Sequence, residues 1–129
     1  MTDSMTWKAS TSVSAETVRQ YGELSGDDNA IHTDSAAAAA AGLAAPVAHG
    51  ILTVGIALAH AQRWLAEIGA HMTGYDTRFT SPVFVGSEPT GIEIVGRLVG
   101  DERLDLTVSA THADRTKPVL RPMRVYFTR

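Results

Sequence analysis

The sequence predicts an α+β fold: one curved antiparallel sheet around one long helix. Three observations carry this. An apolar helical segment runs from about Ala48 to Ile68. The segments after it, 71–80, 83–85, 90–99, 103–112 and 119–128, are rich in Thr, Val, Ile, Phe and Tyr and partly alternate, as strands do. Short turns join them, and successive strands on short turns favour antiparallel pairing. With 129 residues the whole chain, 1–129, reads as one domain with a modest core.

Each element has a local reason. Residues 6–13 suit a short strand anchored by Trp7. Ser14 is an N-cap, and Glu16 sits in the first turn, where the helix dipole favours an acid. Val18, Tyr21 and Ser25 share one face of that helix, and Gly26 stops it. Residues 27–33 form a polar loop. Asp34 or Ser35 caps a short helix over Ala36–Ala41 that Gly42 ends, and Pro46 breaks the chain before the long helix. From Ile51 to Leu58 the long helix is apolar on nearly every side, which predicts that a sheet wraps it. The small residues Gly55, Ala57, Ala59 and Ala61 allow close approach, and Gly69 is its C-terminal cap. Asp101-Glu102 after Gly100 suits a hairpin turn, and Asp114 to Pro118 suits another.

Composition excludes several classes of function. A formal charge of −3 argues against a nucleic-acid surface. With no cysteine, disulfides, thiolate nucleophiles and Cys-ligated metals are excluded. The apolar stretch carries His60, Gln62, Arg63 and Glu67 and does not read as a membrane span. Met1-Thr2-Asp3-Ser4 lacks the features of a signal peptide. The expectation is a soluble cytoplasmic protein.

The chemistry concentrates in two motifs. Ser25-Gly26-Asp27-Asp28-Asn29-Ala30-Ile31-His32 places a carboxylate and an imidazole five positions apart in a turn. Such a pair shares one water, one group taking a proton and the other steering it. Ala48-His49-Gly50-Ile51-Leu52-Thr53 opens the long helix, whose first N–H groups and positive end suit an oxyanion. An acid/base pair followed by an oxyanion donor points to chemistry beside a carbonyl.

Together these motifs resemble the hydratase-2 motif of MaoC-like (R)-specific enoyl-CoA hydratases, whose relatives include 3-hydroxyacyl thioester dehydratases of fatty-acid and polyketide assembly. Arg78-Phe79-Thr80-Ser81-Pro82-Val83-Phe84-Val85-Gly86 also resembles that family's Pro-Val-Phe strand, and the likeness covers about Val13 to Phe127. The resemblance implies a hot-dog fold, a homodimer or a heterodimer with another hot-dog subunit, and hydration of a trans-2-enoyl thioester or the reverse dehydration. It implies Asp27 and His32 as the water-holding acid/base pair and the Gly50 N–H as oxyanion donor. Asn29, His49 and Thr53 are supporting residues: Asn29 fixing the loop, His49 bracing the turn before Gly50, Thr53 bonding the loop. No cofactor is implied beyond the CoA or carrier-protein phosphopantetheine of the substrate itself. Two departures stand out. Ala30 occupies the position where the family has Pro, and the N-terminal stretch is short, which implies a curtailed first strand.

Competing readings are weaker. A thioesterase of this fold uses an acid or amide on the early central helix, and here no acid precedes Glu67. A non-catalytic acyl-binding subunit of a heterodimer would be expected to lose Asp27 or His32. Dehydration of carrier-bound 3-hydroxyacyl chains differs only in how substrate is delivered. No metal site is expected. His49 and His60 share a helix face but lie roughly 16 Å apart at helical rise, and Asp27-x-Asn29 lacks the Gly and Glu of a calcium loop. His71 and His112 read as surface or strand residues. Trp64, Phe79 and Phe84 read as core or acyl-pocket walls. Arg63, Arg78, Lys117, Arg121 and Arg124 are the cations available to CoA phosphates.

Overall fold

The computed structural model describes residues 6–129. Its elements follow in the order β1 (Thr6–Val13), α1 (Ala15–Ser25), a 3₁₀ turn (Ala30–His32), α2 (Ser35–Ala40), α3 (Gly50–Glu67), β2 (His71–Phe79), β3 (Thr90–Val99), β4 (Arg103–His112) and β5 (Arg115–Thr128). The strands form one antiparallel sheet in the order β1-β3-β4-β5-β2, so β1 and β2 are its edges. β1 pairs with β3 from Thr6↔Arg97 to Val13↔Thr90.

Local chemistry fixes the helix ends. The Ser14 hydroxyl accepts from Thr17 N at 3.1 Å and starts α1, and Gly26, at φ 80°, ends it. The Asp34 carboxylate accepts from Ala36 N at 2.9 Å and starts α2. At the end of α3, Gly69 takes φ 73°, a conformation that costs a residue without a Cβ little.

The core lies between α3 and the concave face of the sheet. Val54, Ala57, Ala61 and Leu65 of α3 meet Ile92 and Ile94 of β3, Leu104, Leu106 and Val108 of β4, and Met123 and Val125 of β5. Burying each larger aliphatic contributes about 1.5–3 kcal/mol. Alternation along β3 and β4 follows the pleat: Ile92, Ile94 and Gly96 face in, as do Leu104, Leu106 and Val108. Trp7 of the edge strand β1 lies over Gly96 of β3 and stacks on Trp64 with ring centroids 6.1 Å apart. A Cβ at position 96 would sit 2.5 Å from Trp7 Nε1. Gly96→Ala is therefore expected to displace the indole and destabilise the domain by about 1–3 kcal/mol, read as a lower midpoint in urea unfolding; an unchanged midpoint would show that the indole has room to move. Across the opposite edge, Tyr126 Oη donates to Asp76 Oδ2 at 2.6 Å and Arg124 to Asp76 Oδ1 at 3.3 Å. The Tyr126 hydrogen bond and the Arg124 charge hold the Asp76 carboxyl below the usual carboxylate range.

Three expectations are corrected. The sheet wraps α3 as expected, but the helix is not buried on every side: Ile51 is 55% exposed and Gly55 and Ala59 are also exposed. Residues 83–85 are buried at both valines but form no strand of the sheet. They clip to the segment before α3 through the Val47↔Phe84 bridge, with Ala48 N bonding Val83 O and Val85 N bonding Pro46 O, both at 2.8 Å. Finally, the last turn is not Asp114 to Pro118. It is Ala113-Asp114 alone, at φ 52° and 62°, a two-residue hairpin that lets β5 begin at Arg115.

Candidate active site

The polar loop leaves α1 through the left-handed Gly26 and is pinned at several points. Asp27 N bonds Ser25 Oγ at 3.2 Å. The Asn29 side chain accepts from Ile31 N at 3.1 Å and starts the 3₁₀ turn that carries His32 inward. His32 is 9% exposed, and its Nδ1 donates to the Val47 carbonyl at 2.6 Å. A carbonyl only accepts, so in the neutral ring the proton sits on Nδ1 and Nε2 carries a lone pair. That Nε2 faces Asp27 Oδ1 at 3.8 Å. Carboxylate and bare nitrogen are both acceptors, and 3.8 Å is too long for a direct hydrogen bond. A water bridging the two would satisfy both.

His49, 3% exposed, is the residue before α3. Its ring stacks on that of His32 with centroids 3.7 Å apart and planes 20° apart, and Tyr21 meets it edge-on at 4.8 Å. Its Nε2 donates to the backbone carbonyl of Asp27 at 2.8 Å. This differs from the expected bracing of the turn before Gly50: the ring supports the opposite loop and makes no cap bond to α3. Next to it, Gly50 is the first residue of α3, with no helical carbonyl four residues back to receive its N–H. The Phe79 ring lies against Gly50, where a Cβ would come within 2.7 Å of it.

Gly50 and Thr53 line a cavity of about 360 Å³ with Val47, Phe79, Pro82 and Leu120. His32 lines a different one, of about 340 Å³, with Glu16, Arg19 and Pro46. The Asp27 side chain is 57% exposed. The carboxylate, the imidazole and the Gly50 amide thus do not share one closed cavity within the chain. Thr53 is buried beside Gly50, yet among the described residues its hydroxyl bonds nothing in the loop, contrary to expectation. Adjoining the Gly50 cavity through Ser81, Pro82 and Val119 is a hollow of about 400 Å³ with Phe84 in its wall and His112, Arg115 and Lys117 at its rim.

Ligand atoms of Asp27, His32 and His49 all lie within 4.8 Å of one another. The ring geometry does not suit a shared ion. Imidazole lone pairs lie in the ring plane, and two nearly parallel planes aim them side by side. One nitrogen of each ring is already committed to a carbonyl.

Three contributors escaped the sequence reading. The Val47 carbonyl fixes the His32 tautomer. Gly22 leaves room for the loop, since a Cβ there would sit 3.1 Å from the Asp27 carbonyl oxygen. The His49 bond to Asp27 spans 22 residues. Only Gly22, a glycine in a helix interior with no turn to make, carried a local signal.

Ala30 opens the 3₁₀ turn, and its N–H has no partner among the described residues, while Asn29 holds φ −56° and ψ 131°, a geometry allowed before proline. Ala30→Pro is expected to stabilise the protein by roughly 0.4–1 kcal/mol by restricting the unfolded chain. A thermal melt checks this, and a lowered midpoint would show that the loop cannot take the ring.

Five antiparallel strands around one helix, with a polar loop packed on the helix N-terminus, define a hot-dog fold. The chain belongs to the MaoC-like dehydratase family: the MaoC-like domain matches residues 3–122. Among solved structures it is similar to an (R)-hydratase from A. caviae involved in PHA biosynthesis, at 23% identity and a TM-score of 0.72 over 96% of this chain and 93% of that one. It is likewise similar to the R-hydratase PhaJ1 from Pseudomonas aeruginosa, at 20% identity and a TM-score of 0.72 over 98% and 81%. A third is the C-terminally truncated HadBC (3R-hydroxyacyl-ACP dehydratase) complex from Mycobacterium tuberculosis, at 18% identity and a TM-score of 0.67 over 97% and 96%. No curated protein matches the sequence. No helix among the described residues is long and apolar enough to cross a membrane.

Proposed function

We propose that this protein adds water across the double bond of trans-2-enoyl thioesters to give (R)-3-hydroxyacyl thioesters, and eliminates it in reverse. The observation that carries this reading is the pair of acceptors, Asp27 Oδ1 and His32 Nε2, 3.8 Å apart, with the His32 ring stacked on His49 beside the start of α3. A water held there gives up a proton as its oxygen attacks C3. C2 receives a proton, and the thioester oxygen gathers negative charge. The Gly50 N–H and the positive end of α3 stabilise that charge. Asp27 is the principal base, and His32 orients the water and shares the proton work. Both groups lie on one side of the substrate, so water arrives at one face and one enantiomer forms; the family membership and the (R)-hydratase neighbours support the R configuration.

The substrate carries its own CoA or phosphopantetheine, and no separate cofactor or metal is invoked. The hollow beside the Gly50 cavity, rimmed by His112, Arg115 and Lys117, supports CoA as the carrier. Lys117→Glu is expected to raise KM for crotonyl-CoA about 2–5-fold, the scale of one exposed ion pair, with kcat within twofold. An unchanged KM removes Lys117 from the phosphate site. The unpaired edge of β2, with Tyr75 and Phe79 exposed on it and Ile51 exposed on α3, supports a second hot-dog subunit packed there, and we infer a homodimer. A heterodimer with another such subunit is the alternative.

The reaction is tested by incubating the protein with crotonyl-CoA and with the same acyl group on a carrier protein. Loss of the enone with the thioester intact is expected, faster on CoA. Faster turnover on the carrier protein assigns the enzyme to chain assembly. Release of free thiol would make it a thioesterase, and no turnover of either would overturn the reading.

A further inference from the structure

We propose that His49 is a positioning residue that ties the Asp27 loop to the start of α3, setting where the base stands relative to the oxyanion donor; this rests on the hydratase reading above. Asp27 needs such a tether. It follows Gly26, whose positive φ lets the chain leave α1 in directions other residues avoid. Its carboxylate is more than half exposed and is hydrogen-bonded by no described residue. Its own N–H reaches only Ser25, two residues back, which holds the turn but not the turn's place in the fold. The only bond from Asp27 to a distant element, among the described residues, is the one its carbonyl accepts from His49 Nε2 at 2.8 Å.

The His49 ring is well placed to act as a strut. It is buried, with its face on His32 at 3.7 Å and the Tyr21 ring edge at 4.8 Å, so it has few other orientations. Its remaining nitrogen, Nδ1, is buried and has no partner among the described residues. A buried polar atom left unsatisfied costs stability. An aliphatic or phenyl side chain would avoid that cost, so the ring is explained by the bond its other nitrogen makes. Since Nε2 faces a carbonyl, it carries the proton and the neutral ring is the Nε2–H tautomer. Next along the chain is Gly50, so one residue links the two halves of the site.

Two substitutions separate the functions of the ring. His49→Phe keeps the stack on His32 and removes the donor. His49→Gln removes the stack and keeps an amide N–H at a similar distance from Cβ. With crotonyl-CoA, His49→Phe is expected to lower kcat at least tenfold with KM within twofold, and His49→Gln to recover most of that loss. Amide hydrogen exchange over residues 27–29 should accelerate in His49→Phe and not in His49→Gln. The exchange result stands even if no enoyl thioester is turned over, so failure of the tether and failure of the hydratase reading are distinguishable. Exchange and kcat both within twofold of wild type in His49→Phe would overturn the proposal. Should neither variant fold, nitrogen-15 spectra of the wild-type ring decide: an Nε2–H tautomer supports the tether and an Nδ1–H tautomer overturns it.

Discussion

Asp27→Asn is expected to lower kcat for crotonyl-CoA hydration by about 10²–10⁴-fold, the contribution of a positioned general base. The amide matches the carboxylate in shape but takes no proton. The Asp27 side chain is 57% exposed and its carboxylate makes no hydrogen bond with described residues, so folding stability should scarcely change. Its partner needs a different substitution. His32 is buried, bonds the Val47 carbonyl and stacks on His49, so His32→Ala would remove structure together with chemistry. His32→Asn retains an N–H near the position of Nδ1 for Val47 and removes the nitrogen that faces Asp27. It should lose activity on the same scale while still unfolding cooperatively. Steady-state kinetics with a urea melt on each variant checks both. Near wild-type turnover in the two folded variants would place the chemistry elsewhere.

Gly50→Pro should lower kcat about 10²–10³-fold relative to Gly50→Ala, as loss of one oxyanion donor does. Proline removes the N–H, and it fits the first position of a helix because that N–H has no helical partner. His49, at φ −62° and ψ 132°, already has a geometry allowed before proline. Both variants introduce a Cβ that meets the Phe79 ring at 2.7 Å. That ring is 59% exposed and can swing away, and the disturbance is common to the pair. Their rate ratio therefore isolates the N–H. Equal rates would remove the Gly50 amide from the mechanism.

The features legible in the sequence are those set by neighbours along the chain. Ser14, Gly26 and Asp34 mark helix ends through bonds and dihedrals that span two to four residues. Asn29 bonding Ile31 is of the same kind. Alternation along β3 and β4 reports the pleat directly. What failed needed a partner distant in sequence. Val83 and Val85 announce burial, but nothing local says that they pair with the segment before α3 and not with the sheet. The apolar run in α3 is real, yet it does not state which face the chain itself covers, and Ile51 is left outside. The β4–β5 turn places Ala113 at positive φ, which alanine rarely adopts, so its sequence carried no signal for a two-residue hairpin. In the site, the motif singled out Asp27, His32 and Gly50 as candidates. The carbonyl of Val47 and the reach of His49 to Asp27 depend on how the loop folds back onto α3. Thr53 shows the opposite error, a hydrogen bond implied by the family resemblance that its hydroxyl does not make with the loop among the described residues.

One assay bears on the whole account: the configuration at C3 of the 3-hydroxybutyryl-CoA formed from crotonyl-CoA by the wild-type protein. The proposed delivery of water from the Asp27–His32 side alone predicts a single enantiomer, and the (R)-hydratase reading proposed above makes it R. A racemic or S product, or none, would contradict the account.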